Sequence, residues 1–147
     1  MLLIQVMSRA GVIEYFRKPH NEALAVISIS DCDKDSPILE NKPDNGVAAH
    51  LKLKFDDVER GEANCITEED ALKIVSFVRE CAMVQNRLIV HCEAGVSRSA
   101  GTAAAIMKAI NGNDWDIFDK PRYVPNMTCY RTVLNAFYTN GQDLLWK

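Results

Sequence analysis

Short apolar segments that alternate with helical patterns constrain the fold of this chain more than any other sequence feature. Residues 24–30 are rich in β-branched side chains and residues 88–91 are almost wholly apolar, which predicts buried strands in a covered sheet. Residues 2–7 have the composition of a further short strand, which residues 9–11 are predicted to end. From 51 to 55, apolar residues alternate with lysine, which predicts a half-exposed strand.

Helical periodicity follows two of these segments, and a third helical pattern lies further along the sequence. Thr67 and Asp70 have the spacing of a capping box, and residues 71–82 then carry apolar side chains at helical intervals, which predicts one buried stripe. Residues 100–110 are rich in alanine, and a last helix is predicted from about 128 to 139. Strands alternating with helices indicate an α/β fold with a mostly parallel central sheet flanked by helices.

Turn residues separate these elements. A long surface loop is predicted for residues 30–46, which are rich in Asp, Asn, Pro and Gly. Asn111-Gly112 is predicted to end the second helix, Pro121 and Pro125 mark another loop, and Gly141 lies near the predicted end of the last helix. The length of 147 residues, without repeat or long linker, predicts a single domain over residues 1–147.

Composition excludes several classes of protein. The net charge of −3 and the pI near 5.6 disfavour nucleic-acid and membrane-surface partners, which require a dense basic face. No apolar run approaches the roughly 20 residues of a membrane span, and the first residues lack the basic region of a signal peptide. Five cysteines, an odd number without paired spacing, predict free thiols and a cytoplasmic location. The oligomeric state cannot be predicted.

The segment IVHCEAGVSRSAGTAAA, residues 89–105, carries the chemistry. It predicts a strand, then a loop containing Cys92, Gly95 and Arg98, then a helix beginning near Ser99. Loop amides and a helix N-terminus bind oxyanions, a glycine permits a tight ring, and a guanidinium matches two phosphate oxygens. The same positive field is expected to lower the pKa of the Cys92 thiol, so that the thiolate is aimed at a bound phosphorus.

The sequence contains its own control for this pattern. Cys81 and Arg87 have the same spacing as Cys92 and Arg98. However, Cys81 falls in the last turns of a predicted helix, no glycine lies between the two residues, and no helix follows Arg87. The surrounding strand, glycine and helix, rather than the spacing alone, therefore make the segment from 89 to 105 specific.

At these residues the chain resembles the cysteine-dependent protein tyrosine phosphatases, and HCEAGVSRSA is most similar to their compact dual-specificity branch. The resemblance implies a signature loop between a central strand and a helix. It gives Cys92 the role of nucleophile, Arg98 that of phosphate binding and transition-state stabilisation, and Ser99 that of stabilising the thiolate. It implies no metal and no cofactor. The phosphate would be bound by the loop residues, which are Glu93, Ala94, Gly95, Val96, Ser97 and Arg98.

Such a mechanism requires a general acid to protonate the leaving oxygen. The family has an aspartate on a loop after the strand that precedes the long helix, which corresponds here to LKLKFDDVERG with Asp56 and Asp57. The family pattern favours Asp57, and so does the alternation that Asp57 shares with Leu53 and Phe55. Asp56 remains the alternative.

The predicted function is hydrolysis of phosphomonoesters through a cysteinyl-phosphate intermediate, with a phosphorylated protein as substrate. Phosphotyrosine, with phosphoserine or phosphothreonine in addition, is favoured because so short a chain lacks long pocket-deepening segments. Relatives of this loop also act on inositol phosphates or RNA ends. Glu93 beside Cys92 would repel such highly anionic substrates, so these activities are the alternative.

Three other functions compete with this prediction. Asp31-Cys32-Asp33 after a strand, with Asp56-Asp57 later, resembles the motifs of the magnesium-dependent haloacid-dehalogenase phosphatases, but about two dozen residues are too few for the intervening units. A rhodanese-like sulfurtransferase has a tighter ring, and a phosphate-binding module without catalysis would not need the full set of chemical residues. The DCDKD segment, residues 31–35, also fails as a calcium loop, because Ser36 replaces the required glycine and Lys42 the bidentate glutamate. It is therefore predicted to be a solvated turn.

Four further residues are predicted to have minor roles, and a fifth, Cys32, is a candidate for redox chemistry. His91 is predicted to be structural and to lie behind the loop, where its hydrogen bonds would orient the loop or tune the thiolate. A segment near the loop is predicted to be an ordinary turn, with a supporting role as the alternative; its residues are Tyr123, Pro125 and Asn126. Because a low-pKa thiolate is oxidisable, Cys32 is a candidate partner for Cys92 in a disulfide.

Overall fold

The structure is a computed structural model that describes residues 1–18, 23–39 and 46–146, with side chains up to residue 139. Its sheet has four parallel strands in the order β1-β4-β2-β3. The strands are β1 (Leu3–Ser8), β2 (Leu24–Ser30), β3 (Val47–Lys54) and β4 (Arg87–Cys92). The predicted α/β class and parallel sheet are thereby confirmed. Residues 40–45 of the predicted long loop lie outside the described residues.

Helices are described between β1 and β2, between β3 and β4, and after β4. They are α1 (Arg9–Arg17), α2 (Glu68–Phe77), α3 (Met83–Gln85), α4 (Arg98–Ile106), α5 (Trp115–Phe118) and α6 (Met127–Trp146). A π-helical turn, Val78–Ala82, joins α2 to α3, and a second one, Met107–Asn111, extends α4. In the described part of the chain, no helix is long and apolar enough to span a lipid bilayer.

Two predicted helix boundaries are confirmed by hydrogen bonds and backbone angles. The Thr67 hydroxyl accepts from the Asp70 amide while the Asp70 carboxylate accepts from the Thr67 amide, which is a complete capping box at the start of α2. Gly112 ends the helical segment after α4 with a φ of 89°, in the left-handed region.

Two other boundaries were predicted wrongly. Residues 9–11 do not merely end β1 but open α1, because the Ser8 hydroxyl accepts a hydrogen bond from the Gly11 amide and caps the helix. Val12 and Phe16, four residues apart, then pack this helix on the sheet. At the other end of the chain, α6 does not stop near Gly141 but continues to Trp146.

The two faces of the sheet are covered by different helices. Val12 and Phe16 of α1 pack on one face, against Leu24, Val26 and Ile89. On the other face, α2, α4 and α6 enclose the larger core, to which Ala25, Ile27 and Ile29 of β2 and Leu88, Val90 and Cys92 of β4 belong. Since side chains alternate along a strand, Cys92 points toward α4 and the preceding residue, His91, points to the α1 face.

Candidate active site

The loop between β4 and α4 forms a tight ring around the sulfur of Cys92. Gly95 has a φ of 70°, which L side chains rarely adopt, and its amide lies 3.3 Å from Cys92 Sγ. A Cβ atom on Gly95 would lie only 2.6 Å from the Ser8 nitrogen and 2.7 Å from the Met7 carbonyl carbon. Backbone angle and close packing on the end of β1 both therefore require glycine here.

Cys92 itself is 2% exposed and lies at the floor of this ring. Its sulfur is 3.1 Å from Ser99 Oγ, in the first turn of α4. With the sulfur ionised, Ser99 would donate to it, as Gly95 does, so two donors would share the negative charge. The predicted juxtaposition of Cys92, Gly95 and Ser99 is present.

The Arg98 guanidinium is held through its Nη1 atom. Its Nη1 donates to Asp31 Oδ1 at 2.7 Å and to the Phe55 carbonyl at 2.9 Å. Arg98 is only 5% exposed, and its buried Nε atom has no hydrogen-bond partner among the described residues. A buried donor without a partner is costly, and an oxyanion above Cys92 would satisfy it.

Asp31 was assigned to a solvated turn by the sequence analysis, and that assignment is wrong. Its carboxylate pairs with the buried Arg98 and also lies 3.8 Å from Lys34 Nζ, which in turn lies 3.8 Å from Glu93 Oε2. Because β2 and β4 are parallel neighbours, their carboxyl ends share one edge of the sheet. The sequence signal was an aspartate directly after a buried strand, but the pairing itself depends on the strand order.

Asp56 and Asp57 have different surroundings. Asp56 accepts hydrogen bonds from the Cys32 amide at 3.0 Å and the Asn64 side chain at 3.2 Å, and the Cys32 amide above all holds the pKa of this carboxyl below its ordinary value. Asp57 Oδ1 instead accepts from Ser97 Oγ at 2.8 Å, a hydroxyl of the ring itself. Asp56 therefore joins its own loop to the segment after β2, whereas Asp57 lies at the ring.

Asn126 ties three segments together. Its side-chain amide donates to Asp57 Oδ1 at 2.9 Å and to the Val58 carbonyl at 3.1 Å. Its side-chain oxygen accepts from the Cys129 amide and so caps α6, while its backbone amide donates to the Ser97 carbonyl. The prediction of an ordinary turn is therefore wrong for Asn126, and an Asn directly before a helical pattern was the missed signal.

Val124 of the same segment also contacts the ring, and its neighbours line the core and a cavity. The backbone amide of Val124 donates to the Val96 carbonyl at 3.0 Å, and Tyr123 packs against the larger core. A cavity of about 680 Å³ opens beside Asp57 and Ser97, with Pro125 in its wall. A second cavity of about 790 Å³ follows along α6. The two form one groove because they share lining residues, which are Arg60, Thr128 and Arg131.

The other candidate groups lie apart from this arrangement. Cys81 belongs to the π-helical turn after α2, and Arg87 donates to the Gln5 side chain at 2.7 Å. Cys32 is an exposed free thiol after β2, and its disulfide with Cys92 stays a prediction. Within the described ranges, no group of three or more His, Cys, Asp or Glu side chains could hold a metal ion.

Comparison with solved structures identifies the fold. Human DUSP28 is similar over 95% of this chain and 94% of its own, with a TM-score of 0.57 and 16% identity. A mouse putative dual specificity phosphatase complexed with zinc tungstate is similar over 96% and 84%, with a TM-score of 0.55 and 17% identity. PTPMT1 in complex with PI(5)P is similar over 83% and 81%, with a TM-score of 0.53 and 15% identity. The chain has the fold of the dual-specificity phosphatases.

Sequence comparison adds nothing to this result. No protein-family model and no curated protein matches the chain.

Proposed function

We propose that the protein is a cysteine-dependent phosphomonoester hydrolase of the protein tyrosine and dual-specificity type. One observation carries the proposal: a single ring of backbone surrounds the sulfur of Cys92, includes the buried and partly unpartnered Arg98, and contacts Asp57 through Ser97. Nucleophile, oxyanion donors and general acid are the three requirements of phosphoryl transfer to a side chain.

In the first step of the proposed cycle, a phosphomonoester dianion binds to the ring amides of residues 93–98 and to Arg98. The Cys92 thiolate attacks phosphorus in line, so that a sulfur–phosphorus bond forms while the bond to the leaving oxygen breaks. Asp57 gives its proton to that oxygen. Arg98 would direct its free Nε toward the charge that spreads over the phosphoryl oxygens.

In the second step, water hydrolyses the cysteinyl-phosphate. Asp57, now a carboxylate, takes a proton from the water as the water oxygen attacks phosphorus. The sulfur–phosphorus bond breaks and the thiolate returns, and the Ser99 hydroxyl, 3.1 Å from the sulfur, stabilises it as the leaving group. The cycle consumes water and requires no metal or cofactor.

A phosphorylated protein is the proposed substrate, with phosphotyrosine and also phosphoserine or phosphothreonine accepted. The groove beside Asp57 that continues along α6 would accept the residues flanking the phosphorylated side chain. Lys34 lies 3.8 Å from the carboxylates of both Glu93 and Asp31 at the rim, and Arg98 also pairs with Asp31. The half-exposed carboxylate of Glu93 disfavours polyphosphates there. A reducing, cytoplasmic location is proposed with it, because the thiolate is oxidisable.

A substrate panel tests the proposal. Wild type and Cys92→Ser are compared on an aryl phosphate, phosphotyrosine and phosphothreonine peptides, inositol hexakisphosphate and a triphosphorylated RNA. We expect vanadate-sensitive turnover of the aryl phosphate and the peptides, insensitive to chelator and lost in Cys92→Ser. Faster turnover of the inositol phosphate or of the RNA would show that the substrate belongs to that class and is not a phosphorylated protein.

Three other outcomes would contradict the proposal as a whole. Activity that disappears with chelator and survives Cys92→Ser would indicate an aspartyl enzyme. Tight binding of phosphate with no turnover of any substrate would indicate a binding module, and transfer of sulfur from thiosulfate to cyanide would indicate a sulfurtransferase.

A further inference from the structure

Three polar side chains form a hydrogen-bonded chain on the face of the sheet opposite the Cys92 side chain. His91 Nε2 lies 2.5 Å from Ser28 Oγ, which lies 2.6 Å from His50 Nε2. We call these residues the histidine relay. Ser28 and His91 are register partners on β2 and β4, and both are fully buried. His50, on β3, is half-buried, so the relay runs from the surface to the residue before Cys92.

Both imidazoles of the relay are neutral at neutral pH. Burial, together with the charge on Lys52 of the same strand, lowers the pKa of His50 to about 4. Burial likewise lowers the pKa of His91 to about 4, although a hydrogen bond to the Cys92 carbonyl acts in the opposite direction. The positive charge of Arg9 on α1, and that of His50 when it is protonated, lower this pKa further. Each ring therefore carries one proton, on one of its two nitrogens.

Hydrogen-bond chemistry fixes where those protons are. His91 Nδ1 lies 3.4 Å from the Cys92 carbonyl, which can only accept, so Nδ1 carries the hydrogen. His91 Nε2 must then accept, and Ser28 donates its single proton to it. His50 Nε2 has to donate to Ser28 Oγ in turn. All donors of the relay consequently point from the surface toward the Cys92 carbonyl.

That carbonyl belongs to the first peptide group of the ring. It joins Cys92 to Glu93, and no cis peptide bond occurs in the described chain, so its C=O and the Glu93 N–H point in opposite directions. Holding the C=O toward His91 directs the Glu93 N–H to the other side, where the sulfur and the proposed phosphate lie. Donation to the C=O also polarises the peptide group, which makes the N–H a stronger donor.

We propose that His50 and Ser28 are positioning residues, which act through His91 to aim and polarise the Glu93 amide for oxyanion binding. The inference rests on the proposed function, because it concerns the same ring. A merely structural network would satisfy the same buried polar groups without changing the oxyanion affinity of the ring, so the affinity for an oxyanion distinguishes the two roles.

Matched variants allow a test with tungstate as the probe. Ser28→Ala breaks the relay at its centre, His50→Leu removes its outer donor, and His50→Gln retains an amide donor in that position. Ser30→Ala is the control, since Ser30 is a buried residue of the same strand whose hydroxyl has no partner among the described residues. Binding is measured by calorimetry in each variant combined with Cys92→Ser, so that turnover is not required.

We expect tungstate affinity to fall about 5- to 10-fold in Ser28→Ala and His50→Leu, the loss of roughly one hydrogen bond. His50→Gln should recover most of it, and Ser30→Ala should retain it. Steady-state kinetics without Cys92→Ser should show kcat/KM falling in parallel. Nitrogen NMR of the histidine rings in wild type should find the hydrogen on Nδ1 of His91 and on Nε2 of His50.

Each outcome decides between the two proposals. Unchanged tungstate affinity in folded Ser28→Ala and His50→Leu, or a hydrogen on Nε2 of neutral His91, overturns the positioning role alone while wild-type turnover stands. If the wild type neither hydrolyses aryl phosphate nor binds tungstate, the proposed function fails and this inference fails with it.

Discussion

At the scale of single residues, the two adjacent aspartates show what a sequence can and cannot distinguish. The alternation from Leu53 through Phe55 favoured Asp57 over Asp56. Their separate tasks become visible only through the partners of each carboxylate, the Cys32 amide for Asp56 and the Ser97 hydroxyl for Asp57. Those partners come from distant parts of the chain, which no local pattern encodes.

The first prediction concerns these two carboxylates. Asp57→Asn should lower kcat on phosphotyrosine or alkyl phosphates by about 10²-fold or more, because a general acid contributes on that order. Activated aryl esters, whose leaving groups need no proton, should lose far less. Asp56→Asn should instead lower thermal stability while its leaving-group dependence stays that of wild type. Equal losses on both ester types in Asp57→Asn would remove it as the acid.

The second prediction concerns the partner of Arg98. Asp31→Asn removes the charge that holds Nη1 at 2.7 Å, so the guanidinium is less well fixed, and we expect KM for aryl phosphate to rise about tenfold, a loss of roughly 1.4 kcal/mol. Lys34→Gln is the matched control, since its two contacts are exposed and 3.8 Å long and such pairs contribute little. A KM in Asp31→Asn equal to that of Lys34→Gln would contradict this role.

At the scale of elements, periodicity in the sequence predicted most strands and helices. It failed at helix starts that depend on a capping side chain. The capping box of α2 was readable because both of its side chains lie in one short segment. The start of α1 was missed because Gly11 suggested a turn, although the Ser8 hydroxyl accepts from its amide. The Asn126 cap of α6 was missed in the same way, because the preceding Pro125 suggested a loop.

The third prediction compares two helix caps. Thr67→Ala and Asn126→Ala each remove an N-cap, which should cost about 1 kcal/mol of unfolding free energy. Only Asn126 also donates to Asp57, so only Asn126→Ala should in addition reduce kcat on substrates with poor leaving groups. Urea denaturation and kinetics on two leaving groups measure both effects. A kcat loss of the same size in Thr67→Ala would show that stability, rather than contact with Asp57, controls the rate.

At the scale of the whole molecule, the parallel topology brings the site together. The carboxyl ends of β2, β3 and β4 meet at one edge, and they are followed by Asp31, by Asp57 and by the ring around Cys92. Ligands of open parallel sheets bind at this edge. The ring could be predicted because its residues are contiguous in the sequence. The Arg98–Asp31 pair joins positions 67 residues apart, so predicting it would have required the order of the strands in the sheet.

The fourth prediction concerns stability against pH. His50 and His91 have pKa values lowered from 6.5 to about 4, so the unfolded chain binds more protons than the folded chain between these values. The free energy of unfolding should therefore fall as the pH drops from 6.5 toward 4, by at most about 1.4 kcal/mol per pH unit for buried His91. The half-exposed His50 should contribute less.

Urea denaturation at pH 7.5 and pH 5, in wild type and His50→Gln, measures this dependence. In His50→Gln, the dependence of the unfolding free energy on pH should lose the contribution of His50 and keep the larger contribution of His91. Stability that is constant or higher at pH 5 in the wild type would contradict the neutral state of both rings.

The way Asp57 is held has a stereochemical consequence. Ser97 and Asn126 both donate to Oδ1, and an oxygen that already accepts two hydrogens has little capacity to carry a third. In the proposed cycle the transferable proton therefore resides on Oδ2, first as acid and then as base. The two oxygens of this carboxylate therefore have different roles. Oδ1 fixes the loop through its hydrogen bonds to Ser97 and Asn126, and Oδ2 exchanges hydrogen with the substrate.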